Sequence, residues 1–191
     1  MKVTRRHARE VALQILFQHD LNRDPSRELD EKFAAERLKY PELEKFAMSL
    51  VHGVREHWRE IDQFIQSHAK NWSVDRMATL DRNVLRLAVY EIKFGGTPPR
   101  VAVNEAIELS RRFSTEESTA FVNGVLDALA NLGGGRKKTD LPPPPSNESQ
   151  TALMEPQATA DEEATPESGP TNATRSNDAA SSDGGDVTYD I

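Results

Sequence analysis

"PELEKFAMSLVHGVREHWREIDQFI" (residues 41–65) decides the fold. Leu43, Phe46, Ala47, Leu50, Val51, Val54, Trp58, Ile61 and Ile65 recur along it every three or four residues. That is the period of one face of an α-helix and not of a strand. Pro41 suits the first helical turn, where its missing N–H costs nothing. Gly53 lies inside the apolar stripe, which predicts a place where a second helix packs closely. The flanking sequence reads the same way. A first helix is predicted from Thr4 to Asn22, and Asp24-Pro25-Ser26 breaks it. Ser26 is placed to cap a second helix running to Lys39. Ser73 is placed to cap a short helix and Asp81 to cap "RNVLRLAVYEIKF", which ends at the loop Gly95-Gly96-Thr97-Pro98-Pro99. "VAVNEAIELSRRF" is the next helix, and Ser114-Thr115-Glu116-Glu117 resembles a capping box before "STAFVNGVLDALANL". No stretch alternates as a half-buried strand does. The expectation is an all-α domain of six or seven helices over residues 1–132.

Charge divides the chain at the same place as pattern. The 191 residues carry a formal net charge of -7. Residues 1–138 hold 23 Lys+Arg against 20 Asp+Glu, a sum of +3, whereas residues 139–191 hold one Arg against 11 acids, a sum of -10. Residues 133–191 are rich in Pro, Gly, Ser, Thr, Asp and Glu and offer almost nothing large and apolar to bury, so an acidic disordered tail is expected there. There is no cysteine, which excludes disulfides, Cys-based zinc sites and a cysteine nucleophile and suits a reducing cytoplasm. No apolar run approaches the roughly 20 residues of a membrane span. The opening "EVALQILFQHD" reads as part of a mature helix and not as a signal peptide.

The first helix is unusual at its start. Lys2, Arg5, Arg6 and Arg9 precede any acid, at the end of a helix whose partial charge is already positive. At about 100° per residue they fall within roughly a third of the circumference and form a patch. A phosphate is the natural partner, because the helix end also supplies free N–H groups; a solvated basic face is the alternative. The same helix carries two apolar stripes. Ala8, Val11, Ala12 and Ile15 make one, and Leu13, Phe17 and Leu21 the other. Either the helix is packed on several sides or Phe17 belongs to a second face for a partner.

Signatures of catalysis are missing. The five histidines, His7, His19, His52, His57 and His68, show no metal-ligand spacing, and His19 reads as a core-edge residue. No HExxH, GxGxxG, Walker A loop or GxSxG occurs. Glu105 and Glu108 share a helix face, an arrangement that is ordinarily just solvated. The pattern argues for binding over catalysis, with no metal and no cofactor.

At "DRNVLRLAVYEIKF" (81–94), "VAVNEAIELSRRFSTEES" (101–118) and "FVNGVLDAL" (121–129) the sequence resembles the NusB family of bacterial transcription antitermination factors, and "RRHAREVALQILFQ" (5–18) is similar to that family's first helix. The resemblance spans residues 3–132; "VNEAIELS" followed by "FVNGVLD" is its most specific part. It implies an all-α fold of two small subdomains. It also implies binding to the boxA segment of nascent ribosomal RNA transcripts, pairing with NusE, a small-subunit ribosomal protein, and entry into an RNA polymerase complex that reads through terminators in rRNA operons. No catalysis is implied. The matching RNA-binding residues are Arg5, Arg6 and Arg9, with Phe113 and Phe121 as stacking aromatics. His7 stands where the family tends to have a third consecutive basic residue. For NusE the matching residues are Phe17, Asp75, Asp81 and Glu117. Asn104 and Asn123 belong to the matched motifs and also suit structural roles.

Two rival readings accompany this one. A related helical domain precedes the catalytic domain of an RNA methyltransferase, but the tail here is too short and too polar for that second domain. A protein-interaction module without specific RNA binding, or a homodimer that buries the basic patch, is the other; the free protein is expected to be a monomer or a homodimer.

Overall fold

The computed structural model describes residues 4–22, 26–69 and 72–130. Among these are six α-helices and no strand: α1 (Arg5–Leu21), α2 (Arg27–Arg37), α3 (Pro41–His68), α4 (Thr79–Lys93), α5 (Pro99–Phe113) and α6 (Glu116–Ala130), with a 3-10 turn at Val74–Arg76 before α4. Lys2 and the tail at 133–191, with the expectation of disorder for it, lie outside the described residues.

The helices come three to each half of the chain. α1 and α3 pack together and both pack on α4, while α5 lies against α4 and α6 against α5. One continuous apolar core runs through both halves. Leu13, Ile15, Ile61, Ile65, Leu80, Leu85, Leu87, Phe121 and Leu126 are fully buried in it. No helix among the described residues is long and apolar enough to cross a membrane.

The two stripes of α1 have a structural answer. Both are covered, because α1 touches α2, α3, α4 and α5. Leu13 and Phe17 are buried, and only Leu21, at the last turn, is exposed. The stripe of α3 is buried along most of its length, but Trp58 is exposed. It lines a cleft of about 350 Å³ with Leu16, His19 and Asp20 of α1 and Asn83 and Arg86 of α4, so polar side chains stand where a core would need apolar ones. Gly53 does what its position in the stripe predicts: a Cβ there would collide with the ring of Tyr90. The missing side chain lets α4 lie close against α3.

The caps differ from expectation. Ser26 and Ser73 make no side-chain cap bond. α4 begins at Thr79, so Asp81 is inside its first turn and not its cap. The capping box before α6 is shifted by one residue. Thr115 is the cap, accepting the Ser118 backbone N–H at 3.2 Å, and Ser114 instead donates to Asp81 at 3.2 Å. Glu117 is left as an exposed first-turn acid, which the helix dipole favours.

Candidate nucleic-acid interface

The basic start of α1 sits against acids from the other half of the chain. Arg6 makes a two-pronged contact with Glu105 of α5, Nε to Oε2 at 3.1 Å and Nη2 to Oε1 at 3.0 Å, and its third nitrogen reaches Glu108 at 3.4 Å. Arg9 makes the same kind of contact with Glu91 near the end of α4, at 2.9 and 2.7 Å, and lies 3.6 Å from Glu105. The Thr97 hydroxyl donates to Glu91 at 3.0 Å. Glu10 takes Arg112 at 2.6 Å and the His7 ring at 2.9 Å. Paired, planar contacts of this kind are the strong form of an arginine–carboxylate bond.

The two arginines differ in exposure. The Arg6 side chain is 44% exposed, whereas that of Arg9 is 7% exposed and its partner Glu91 3%. Arg5 is exposed, and its guanidinium stands 5.1 Å from the centre of the Phe46 ring. No carboxylate among the described residues pairs with it. Arg5 therefore offers positive charge to solvent, Arg6 is exposed but paired with Glu105 and Glu108, and Arg9 fastens the helix to α4.

The aromatic candidates separate as well. Phe113 is partly buried at the end of α5, packed on the core, with Arg112 5.5 Å from its ring centre. Phe121 is 0% exposed, so its ring face is not available to a base in this structure. Ser118, one of its polar sequence neighbours, is buried too, because its backbone N–H and hydroxyl are turned to the Thr115 cap. Asn123 lines a cleft of about 470 Å³ between α5 and α6 with Ile107, Arg111 and Thr119; Asn104 is exposed.

The partner candidates are spread. Phe17 is 5% exposed. Asp20, one turn beyond it, receives Arg82 at 2.9 Å and Asn83 at 3.1 Å, which fixes that end of α1 on α4. Asp75 is exposed in the 3-10 turn before α4. Asp81 is buried, and its bond to Ser114 ties the start of α4 to the turn between α5 and α6, just before the exposed Glu117. Asp75 and Glu117 thus present charge outward, while Phe17 and Asp81 lie beneath the surface.

A family model described as the NusB family matches residues 6–131. The chain belongs to the NusB family. Among similar proteins, the transcription antitermination protein NusB of Solibacter usitatus is 48% identical over 131 residues, covering 66% of this chain and 88% of that one. That of Myxococcus xanthus is 48% identical over 131 residues, covering 66% and 94%. Among solved structures, T. maritima NusB aligns with a TM-score of 0.61 at 37% identity, covering 74% of this chain and all of that one. A crystal structure of antitermination factors NusB and NusE in complex with dsRNA aligns with a TM-score of 0.61 at 31% identity, covering 68% and 97%.

Within this NusB-family domain, the residues that sequence reasoning passed over are Glu91, Glu105 and Glu108. The available signal was the pair Glu105 and Glu108 on one helix face, read as solvated; the structure gives both to Arg6. The hydrogen bond from Arg6, and the charges of Arg6 and Arg9, hold the Glu105 carboxyl below its ordinary range against the opposing effect of burial, and Glu105 raises Arg6 in turn. A depressed carboxyl contributes stability that is present above its unfolded value and lost as pH falls through its folded one. Glu105→Gln is therefore expected to lower the Tm at neutral pH. That deficit should shrink to nothing as the pH is taken below the ordinary carboxylate range. A deficit that persists in acid would place the loss in packing and not in charge.

Proposed function

We propose that this chain is a transcription antitermination factor. It binds the boxA segment of nascent ribosomal RNA transcripts together with NusE, and it joins an RNA polymerase complex that reads through terminators in rRNA operons. The observation that carries this reading is the exposed pair Arg5 and Arg6 at the N-terminal end of α1 in a NusB-family domain. It is supported by the likeness to a NusB that crystallises with NusE and dsRNA. Arg5 and Arg6 contact phosphate, and Phe113 supplies a stacking surface at the edge of α5. Arg9 acts by fixing α1, and Phe121 by holding α6 in the core. NusE meets Asp75 and Glu117 directly, over ground that Phe17 and Asp81 shape from below. The site of action is the cytoplasm, where transcripts emerge, and the free protein is a monomer or a homodimer.

A second reading, a helical interaction module without specific RNA binding, draws on the internal pairing of Arg6 and Arg9. Binding of the chain to boxA RNA and to a scrambled RNA of equal composition, with and without NusE, separates the two. The expected result is a preference for boxA that NusE tightens. Arg5→Ala/Arg6→Ala should weaken both RNAs by roughly tenfold and lower the salt slope by about 1.4, two contacts at about 0.7 each. Equal binding of the two RNAs, even with NusE, would favour the interaction module.

A further inference from the structure

We infer that Glu105 and Glu108 hold Arg6 as an internal stand-in for phosphate, so that RNA binding at this point is an exchange of anions. The two carboxylates thereby set how strongly the site discriminates against nonspecific RNA. The inference rests on the RNA-binding reading and names the residues that tune it.

Three observations carry it. First, the geometry of the Arg6–Glu105 contact is that of recognition. A carboxylate presents the guanidinium with the same pair of oxygens that a phosphate would, at 3.0 and 3.1 Å. Second, Arg6 is reachable. Its side chain is 44% exposed, while those of Glu105 and Glu108 are 15% and 32% exposed, so a competing anion can approach the guanidinium from solvent without first opening the core. Arg9, 7% exposed against a 3% exposed Glu91, is not open to such competition, although it lies one helical turn away. Third, the displaced carboxylates keep partners. Glu108 is held by Arg111 at 2.7 Å, and Glu105 remains 3.6 Å from Arg9. Releasing Arg6 therefore strands no acid, and the exchange is reversible.

The consequence concerns selectivity. Any RNA offers phosphates, so an uncommitted Arg6 would strengthen all complexes alike. A committed Arg6 makes every RNA pay for its release. Only an RNA that gains base contacts, or a protein partner, in the same complex recovers that cost.

The test measures scrambled and boxA RNA binding to the full chain over a range of salt. The proteins are wild type, Glu105→Gln/Glu108→Gln, and the same pair in an Arg6→Ala background. With Arg6 freed, scrambled RNA should bind roughly fivefold tighter, boxA should gain less, and the salt slope for scrambled RNA should steepen by about 0.7. In the Arg6→Ala background the gain should vanish. Unchanged or weaker binding of scrambled RNA would overturn the inference, leaving the carboxylates as supports for Arg6. A gain that persists in full without Arg6 would also overturn it, as a bulk effect of lost negative charge. Thermal melts check the fold. If the double variant does not fold, Glu108→Gln alone, which leaves the Glu105 contact in place, carries the test through a smaller gain of about twofold. If the wild type binds neither RNA, the RNA-binding reading itself falls. If the wild type prefers boxA and the variants match it, only the exchange falls.

Discussion

Glu91→Ala is expected to destabilise the fold by about 3–5 kcal/mol. The substitution removes only part of one side chain, but it leaves the Arg9 guanidinium buried without its two-pronged partner and takes the acceptor from the Thr97 hydroxyl. A buried charge stripped of its closest partner, with only Glu105 left at 3.6 Å, is one of the few mechanisms that costs this much. Urea unfolding should show a lower midpoint with an unchanged slope, and the Tm should fall by roughly 10–20 °C. Arg9→Met/Glu91→Leu should recover most of the loss, since removing both charges also removes both desolvation costs. A Glu91→Ala loss below about 1 kcal/mol would mean that water reaches the pair, as it does exposed ones.

Phe121→Ala is expected to cost a similar amount, about 3–5 kcal/mol, by opening a cavity in the core. Phe121 is among the largest fully buried side chains, and the same core holds Val122, Val125 and Leu126 of its own helix. Phe121→Leu should cost only about 1–2 kcal/mol, because most of the volume is retained. The pair of variants separates the two roles open to this residue. A core ring predicts that Phe121→Leu, still folded, keeps its boxA affinity. A stacking ring predicts the reverse: little loss of stability, with affinity reduced by the roughly 1–3 kcal/mol that a base–aromatic stack is worth.

What the sequence made legible is what short-range physics governs. The apolar period of residues 41–65 yields α3, and Gly53 marks the helix crossing. The two stripes of α1, one through Val11 and Ile15 and one through Leu13 and Phe17, fit a helix covered on several sides. Caps were less legible, because hydroxyls and acids near a helix start need not take the role: Ser26 makes no side-chain cap bond. Thr115 makes one and Ser114 does not, since Ser114 is drawn to Asp81 across the bundle. The ion pairs of α1 were not legible at all. Arg6 and Glu105 are separated by 99 residues, and nothing local to either names the other. The burial of Phe121 was not legible for a related reason. Its polar neighbour Ser118 suggests a surface, but that residue's polar groups are satisfied at the cap and are themselves buried.

The long reach of these pairs has a consequence for synthesis. Arg9 meets Glu91 across 82 residues and Arg6 meets Glu105 across 99. On a ribosome adding about 5–20 residues per second, roughly 5–20 s therefore pass between the making of the first arginines and that of their carboxylates. Through that interval Arg6 and Arg9 are made but their carboxylate partners are not, and the RNA of the machine that makes them is the nearest large anion. Charges made early in this stretch are among the last in it to be neutralised.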